Sequence, residues 1–212
     1  MSTLTRITDN IKLPLGTAVW VLLAHLITLF SPLVLLYVVQ THGDYLRMQM
    51  DFPFLIYIAI TLMMISSAFE IAQNTIDDWF LTEDCASANG TSLCDFLFYA
   101  GLVFAMAFIV MACVGALWWI DILVIIGSCV FCYLYLTDKN PFPALGAMGL
   151  ASTLALYVTF DSPVVFLQMV CSQLTLYFFT LLLQTGAQWL HGFTTIANAV
   201  GICVVAWAID VA

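Results

Sequence analysis

The second long apolar segment of the chain ends in Ser66-Ser67-Ala68-Phe69-Glu70-Ile71-Ala72-Gln73-Asn74-Thr75-Ile76-Asp77. Ser66, Glu70, Gln73, Asn74 and Asp77 recur at helical spacing and share one face, the most concentrated polar stripe in the sequence. Glu70 falls one to two turns inside the apolar region. An ionised carboxylate there costs on the order of several kcal/mol unless it is paired or wet. It must be protonated, face a cavity, or hold a cation. The plainer alternative is a helix end emerging into water. Two further segments carry imidazoles. The last apolar segment opens with His191, followed on the same face by Thr194, Thr195 and Asn198. The first carries His25 near its middle, with Thr28 and Ser31. His191 is a candidate proton carrier or metal ligand; it reads equally as an interface histidine bonded to a backbone carbonyl.

If the first, second and last segments are neighbours, His25, Glu70, Asn74 and His191 converge. Two imidazoles, a carboxylate and an amide suit one divalent metal or a proton relay. The ligand-binding candidates are therefore Glu70, Asn74, Ser66, His191 and Asn198. The metal candidates are His25, His191 and Glu70, with zinc as the candidate ion. Gln168, Ser172 and Thr175 form another polar face, better suited to joining helices.

The elements that would position these groups are seven apolar stretches, at about residues 14–39, 52–73, 95–116, 117–137, 142–160, 163–185 and 189–210. Each approaches the ~20 residues that cross a bilayer. Hydrophobic residues make up 64% of the 212 and charged ones 8%, against about 25% charged in a soluble domain. Mean hydropathy is +1.08. The expectation is an all-α, polytopic transmembrane bundle of seven spans, forming one domain over residues 1–212. Continuous apolar runs, without alternation, argue against a barrel. Residues 1–13 are polar and the first apolar run is span-length, so it reads as a retained helix rather than a cleaved signal. Pro14 and Pro163 suit the first turn of a helix. Pro32 is expected to kink the first span. Gly115 and Trp118-Trp119 mark the turn between spans three and four. Asp121 is expected at the interface and Asp210 in solvent.

The net charge is −9, with only Arg6, Lys12, Arg47 and Lys139 basic. No basic patch is available to nucleic acid. The expected partners are membrane lipids, other membrane subunits or further copies of the chain. Orientation is drawn two ways. The positive-inside count places the N-terminus in the cytoplasm. Cys85 and Cys94, which frame the polar loop, could close a disulfide and would then place that loop outside it. The other five cysteines, Cys129-Val130-Phe131-Cys132 included, read as small apolar packing residues.

Two families offer points of resemblance. Asp78-Trp79-Phe80-Leu81-Thr82 is similar to the Asp-Trp-x-x-Thr of the third helix in microbial rhodopsins, but here it runs into the acidic loop. Lys12 and Lys139 lie outside the spans, so no retinal Schiff base is expected. The layout of seven spans, with Ser66 or Ser67 and Glu70 in span two, Asp95 opening span three and His191 in span seven, resembles the membrane hydrolase superfamily of alkaline ceramidases and progestin/adiponectin-type receptors. That resemblance implies a metal-dependent hydrolase of lipid amides or esters. The chain departs from the family pattern. Thr195 stands where the second histidine of the last helix belongs, and span two has no histidine. A zinc site would have to recruit His25 from span one.

Three functions follow. The preferred one is a non-enzymatic bundle that binds a small ligand or ion, as a transporter, channel or sensor, between spans one, two and seven. The second is the hydrolase, with Glu70 or Asp95 as acid/base. The third is an accessory subunit of a membrane complex. With His42 in a loop, only two histidines remain for an intramembrane metal, which weighs against the enzyme.

Overall fold

The computed structural model describes residues 15–72, 93–138, 141–187 and 189–212. Among them are eight helices and no strand: α1 (Leu15–Thr41), α2 (Gly43–Gln49), α3 (Phe54–Ile71), α4 (Leu93–Val114), α5 (Trp118–Asp138), α6 (Phe142–Phe160), α7 (Val165–Thr185) and α8 (Trp189–Asp210). All except the short α2 are long and apolar enough to cross a membrane. The protein is an integral, multi-pass membrane protein with seven spans.

Local chemistry explains the helix ends. Pro53 stands at the N-cap of α3, so that helix starts at Phe54 rather than at 52. Asp161 ends α6 in the left-handed region (φ 47°), and its N–H donates to the Tyr157 carbonyl at 2.8 Å. Gly186 does the same for α7 at φ 67°, where a residue without Cβ is unstrained. Pro163 lies two residues ahead of α7 instead of in its first turn: its carbonyl accepts the Phe166 N–H at 3.1 Å, within the turn that leads into the helix. Pro14 lies outside the described residues.

Helix α1 continues through Pro32 without interruption. Proline has no N–H for the Thr28 carbonyl four residues back. The Ser31 hydroxyl donates to that carbonyl instead, at 2.9 Å. The helix therefore continues, and the backbone acceptor is satisfied inside the membrane.

Spans three and four are separate helices, joined by Gly115, Ala116 and Leu117. The link between α2 and α3 pins this turn. The Ala116 N–H donates to Asp51 Oδ2 at 2.8 Å, and the Phe52 N–H donates to the Ala112 carbonyl at 3.1 Å. The Phe52 ring fills the space where a Cβ on residue 115 would stand, at 2.3 Å, so glycine is required there. The helix α2, in the segment read as a loop, was not expected; it follows the His42 turn and ends with Arg47 near Asp44.

Six spans close a ring in the order α1, α3, α4, α6, α7, α8, with α8 returning to α1. Span four, α5, sits outside it against α4, so the ring has six members rather than seven. Much of α5, including Ile122, Leu123, Ile126 and Val130, is exposed, as suits a lipid-facing helix. Small residues set the closest approaches. A Cβ on Gly101 would stand 3.0 Å from Ser66 Cβ (α4 on α3), and one on Gly201 3.3 Å from Cys171 Cβ (α8 on α7). Thr153 and Gln168 join α6 to α7 by a hydroxyl–amide hydrogen bond.

The main apolar core fills one half of the ring. It comprises the C-terminal halves of α1, α4, α6 and α8 and the N-terminal half of α3, around Leu35, Ile56, Ala59, Ala105, Leu156 and Ile209. At that end Asp210 is about half exposed, as expected, and also stands 3.7 Å from His42 Nε2. The other half, toward the start of α1, holds His25, Glu70 and His191.

Candidate site at the junction of three helices

Helices α1 and α8 lie side by side and parallel. Contacts run in the same order along both helices: Trp20 bonds to Trp189, His25 meets His191, and Thr28 meets Thr195, while the wide Trp20 ring also reaches Gly192. Parallel first and last spans are what an odd number of crossings requires. Three contacts fix the register. The Trp20 indole N–H donates to the Trp189 carbonyl at 2.9 Å. The Thr28 hydroxyl reaches the Thr195 carbonyl at 2.9 Å. The Trp20 ring lies directly over Gly192, where a Cβ would stand 2.2 Å from the indole nitrogen. Phe193 packs against Trp20 at 5.3 Å between ring centroids.

This seam sets the two imidazoles 4.9 Å apart, edge to face at 73°. Helix α3 packs on α1 and brings Glu70, one residue before the helix end, between them. Glu70 Oε1 is 3.4 Å from His25 Nε2 and 3.5 Å from His191 Nε2. The His25 side chain is fully buried, Glu70 is 10% exposed and His191 18%. Glu70 therefore does not point away into water. His25 Nδ1 lies 2.7 Å from the Val21 carbonyl, one turn back. A carbonyl only accepts, so Nδ1 is the donor, and Nε2 is left to face the carboxylate. The Thr195 hydroxyl donates to the His191 carbonyl at 2.8 Å, which bonds the helix turn that carries the ring. These three side chains are a group with donor atoms close enough to hold one metal ion.

The other candidates fall elsewhere. Ser66 is buried one turn before Glu70, but its hydroxyl donates to the Phe98 carbonyl at 2.6 Å and ties α3 to α4. Asn198 lies half-buried on α8, two turns beyond His191. Asp95 is in the first turn of α4. Asn74 and Cys85 lie outside the described residues. Cys94, the other cysteine of the suggested disulfide, is half-buried at the start of α4. Residue reading missed Trp20 and the Val21 carbonyl. The first had a signal in the small Gly192 beside His191, which invites a large side chain from a neighbouring helix. The second had none, because backbone acceptors are invisible in a list of side chains.

A family model described as "Seven transmembrane receptor" matches residues 17–211. The chain belongs to that family. The match spans all seven membrane helices, and His25, Glu70 and His191 lie within it. No curated protein and no solved structure matches the chain. Within this seven transmembrane receptor family protein, the α1–α3–α8 junction brings together residues nearly 170 positions apart in sequence, as Trp20 and Trp189 are.

Proposed function

We propose that this protein is a non-enzymatic, receptor-like bundle that binds a small ligand or ion where α1, α3 and α8 meet. One observation carries the reading: His25, Glu70 and His191, from three separate spans, turn their polar ends toward one another inside the bundle. Ionisable residues within membrane spans are expensive, and a site is the default explanation for them. Membership of a seven transmembrane receptor family agrees with binding rather than catalysis. A ligand bridging α1, α3 and α8 would favour one arrangement of these helices over another, which is how a sensor couples binding to shape.

The test is native mass spectrometry of the full chain released from mild detergent, comparing wild type with Glu70→Gln. The amide keeps the size of the side chain and removes its charge. A species that co-purifies with wild type and is lost from a folded Glu70→Gln protein supports the reading. Equal occupancy in both proteins contradicts it.

A second reading is a metal-dependent hydrolase of lipid amides or esters. It is supported by the donor set, since two histidines and one carboxylate also hold catalytic zinc in hydrolases, and by the resemblance in layout to ceramidase-type proteins. The Ser66 hydroxyl, committed to Phe98, is poorly placed to take part. Turnover of a fluorogenic ceramide or ester by the purified chain, abolished in Glu70→Gln, would favour this reading over the first.

A further inference from the structure

We infer that His25, Glu70 and His191 form a centre for a divalent transition-metal ion of the zinc class. The inference rests on the binding site proposed above and names the chemistry of its ligand.

The Val21 carbonyl holds the hydrogen of His25 on Nδ1, so the lone pair of the neutral ring sits on Nε2 and faces Glu70 Oε1. Two acceptors facing each other require a cation between them, either a proton or a metal. A tetrahedral zinc ion with nitrogen and oxygen bonds of about 2.0–2.1 Å has ligand–ligand edges of roughly 3.3–3.4 Å. The two separations from Glu70, 3.4 and 3.5 Å, are close to such edges.

The three donor atoms all lie within 4.8 Å of one another. The His25–His191 edge can shorten by rotation of His191, the more exposed ring at 18%. Two imidazole nitrogens and one carboxylate oxygen are borderline donors that suit zinc. The Val21 contact is the outer-shell bond that metal-ligating histidines characteristically make, and it fixes tautomer and ring orientation. Three protein donors leave a tetrahedral ion one further position. Such an open site is typical of zinc that meets a ligand, whereas structural zinc is fully enclosed by protein.

The experiment uses the full chain in detergent or nanodiscs. It is stripped with chelator, equilibrated with zinc or cobalt(II), freed of excess ion and assayed for metal content and visible absorption. The expected result is one zinc per chain and the intense bands of tetrahedral cobalt. His25→Ala and His191→Ala should each weaken binding by more than about tenfold, since even outer-shell changes reach that size. Should either alanine variant fail to fold, His191→Cys supplies a thiolate ligand. It should retain the metal and add a sulfur-to-cobalt charge-transfer band. A folded wild type without stoichiometric metal overturns the inference, as does metal retained in folded His25→Ala and His191→Ala. Native mass spectrometry separates the two failures. An organic ligand lost in Glu70→Gln, with no metal present, overturns the metal centre and leaves the binding site standing. Neither ligand nor metal overturns both.

Discussion

The indole of Trp20 lies on Gly192, one residue from His191, and donates to the Trp189 carbonyl at 2.9 Å. Through this contact the first span sets the position of the last, and the two histidines meet beside it. The candidate site therefore depends on a packing detail that carries no charge.

Gly192→Ala is expected to disturb the site without touching its polar groups. The added Cβ would fall 2.2–2.9 Å from three atoms of the Trp20 ring, so α1 must shift or the ring must leave. Overpacking of this kind costs about 1–3 kcal/mol. The midpoint of thermal unfolding in detergent should fall, and metal or ligand occupancy should fall with it. Trp20→Leu in the same chain should restore much of the stability.

Ser31→Ala should leave the Thr28 carbonyl short of a donor, because Pro32 supplies none. The loss is expected to be about 1–3 kcal/mol, the penalty for an unsatisfied buried acceptor. Pro32→Ala restores a backbone N–H to that carbonyl, so the double variant should be more stable than the single Ser31→Ala. A double-mutant cycle on unfolding free energies would show the coupling. Additive effects would mean that Ser31 does not serve this carbonyl.

Glu70→Gln is expected to fold and to lose its ligand. Circular dichroism should be unchanged, because the helix end and the contact of α3 with α4 through Ser66 remain. A folded variant with undiminished occupancy would remove Glu70 from the site.

Ion occupancy should fall as the medium is acidified. The sign follows from the donors: imidazolium has no lone pair to give, and a protonated carboxyl is a poor ligand, so protons compete with the metal. Zinc content after dialysis across a series of falling pH, at constant total zinc, would reveal this. Occupancy independent of pH in folded protein would argue against histidine ligands.

Asp51→Ala should loosen the turn between α4 and α5 by removing the acceptor of the Ala116 N–H. Because that contact is exposed, the loss is expected to be only about 1 kcal/mol. Gly115→Ala meets the Phe52 ring and should be the more damaging change at this turn. Unfolding midpoints of the two variants, measured side by side, would order them.

Much of this molecule was legible in residue types and spacing. Length and hydropathy delimit each span, because every backbone group in lipid must be bonded within its own helix. The fifth and seventh spans, expected at 142–160 and 189–210, are α6 and α8 to the residue. The Glu70 stripe, mid-span His25 and His191 stood out because polar groups are costly there. What could not be read was which faces meet. Apolar residues surround every span, so hydropathy does not distinguish a side chain against lipid from one against protein. The exclusion of α5 from the ring, the extra helix α2 and the commitment of Ser66 to Phe98 all turn on that distinction.

The amino-acid sequence by itself determined a seven-span membrane protein with three scarce ionisable groups in its first, second and last spans. Only the tertiary structure decided that these groups meet on one carboxylate oxygen. Local hydrogen bonding makes each helix independently of its neighbours, whereas the approach of α1 to α8 arises from Trp20 filling the space above Gly192, a fit between residues more than 170 positions apart.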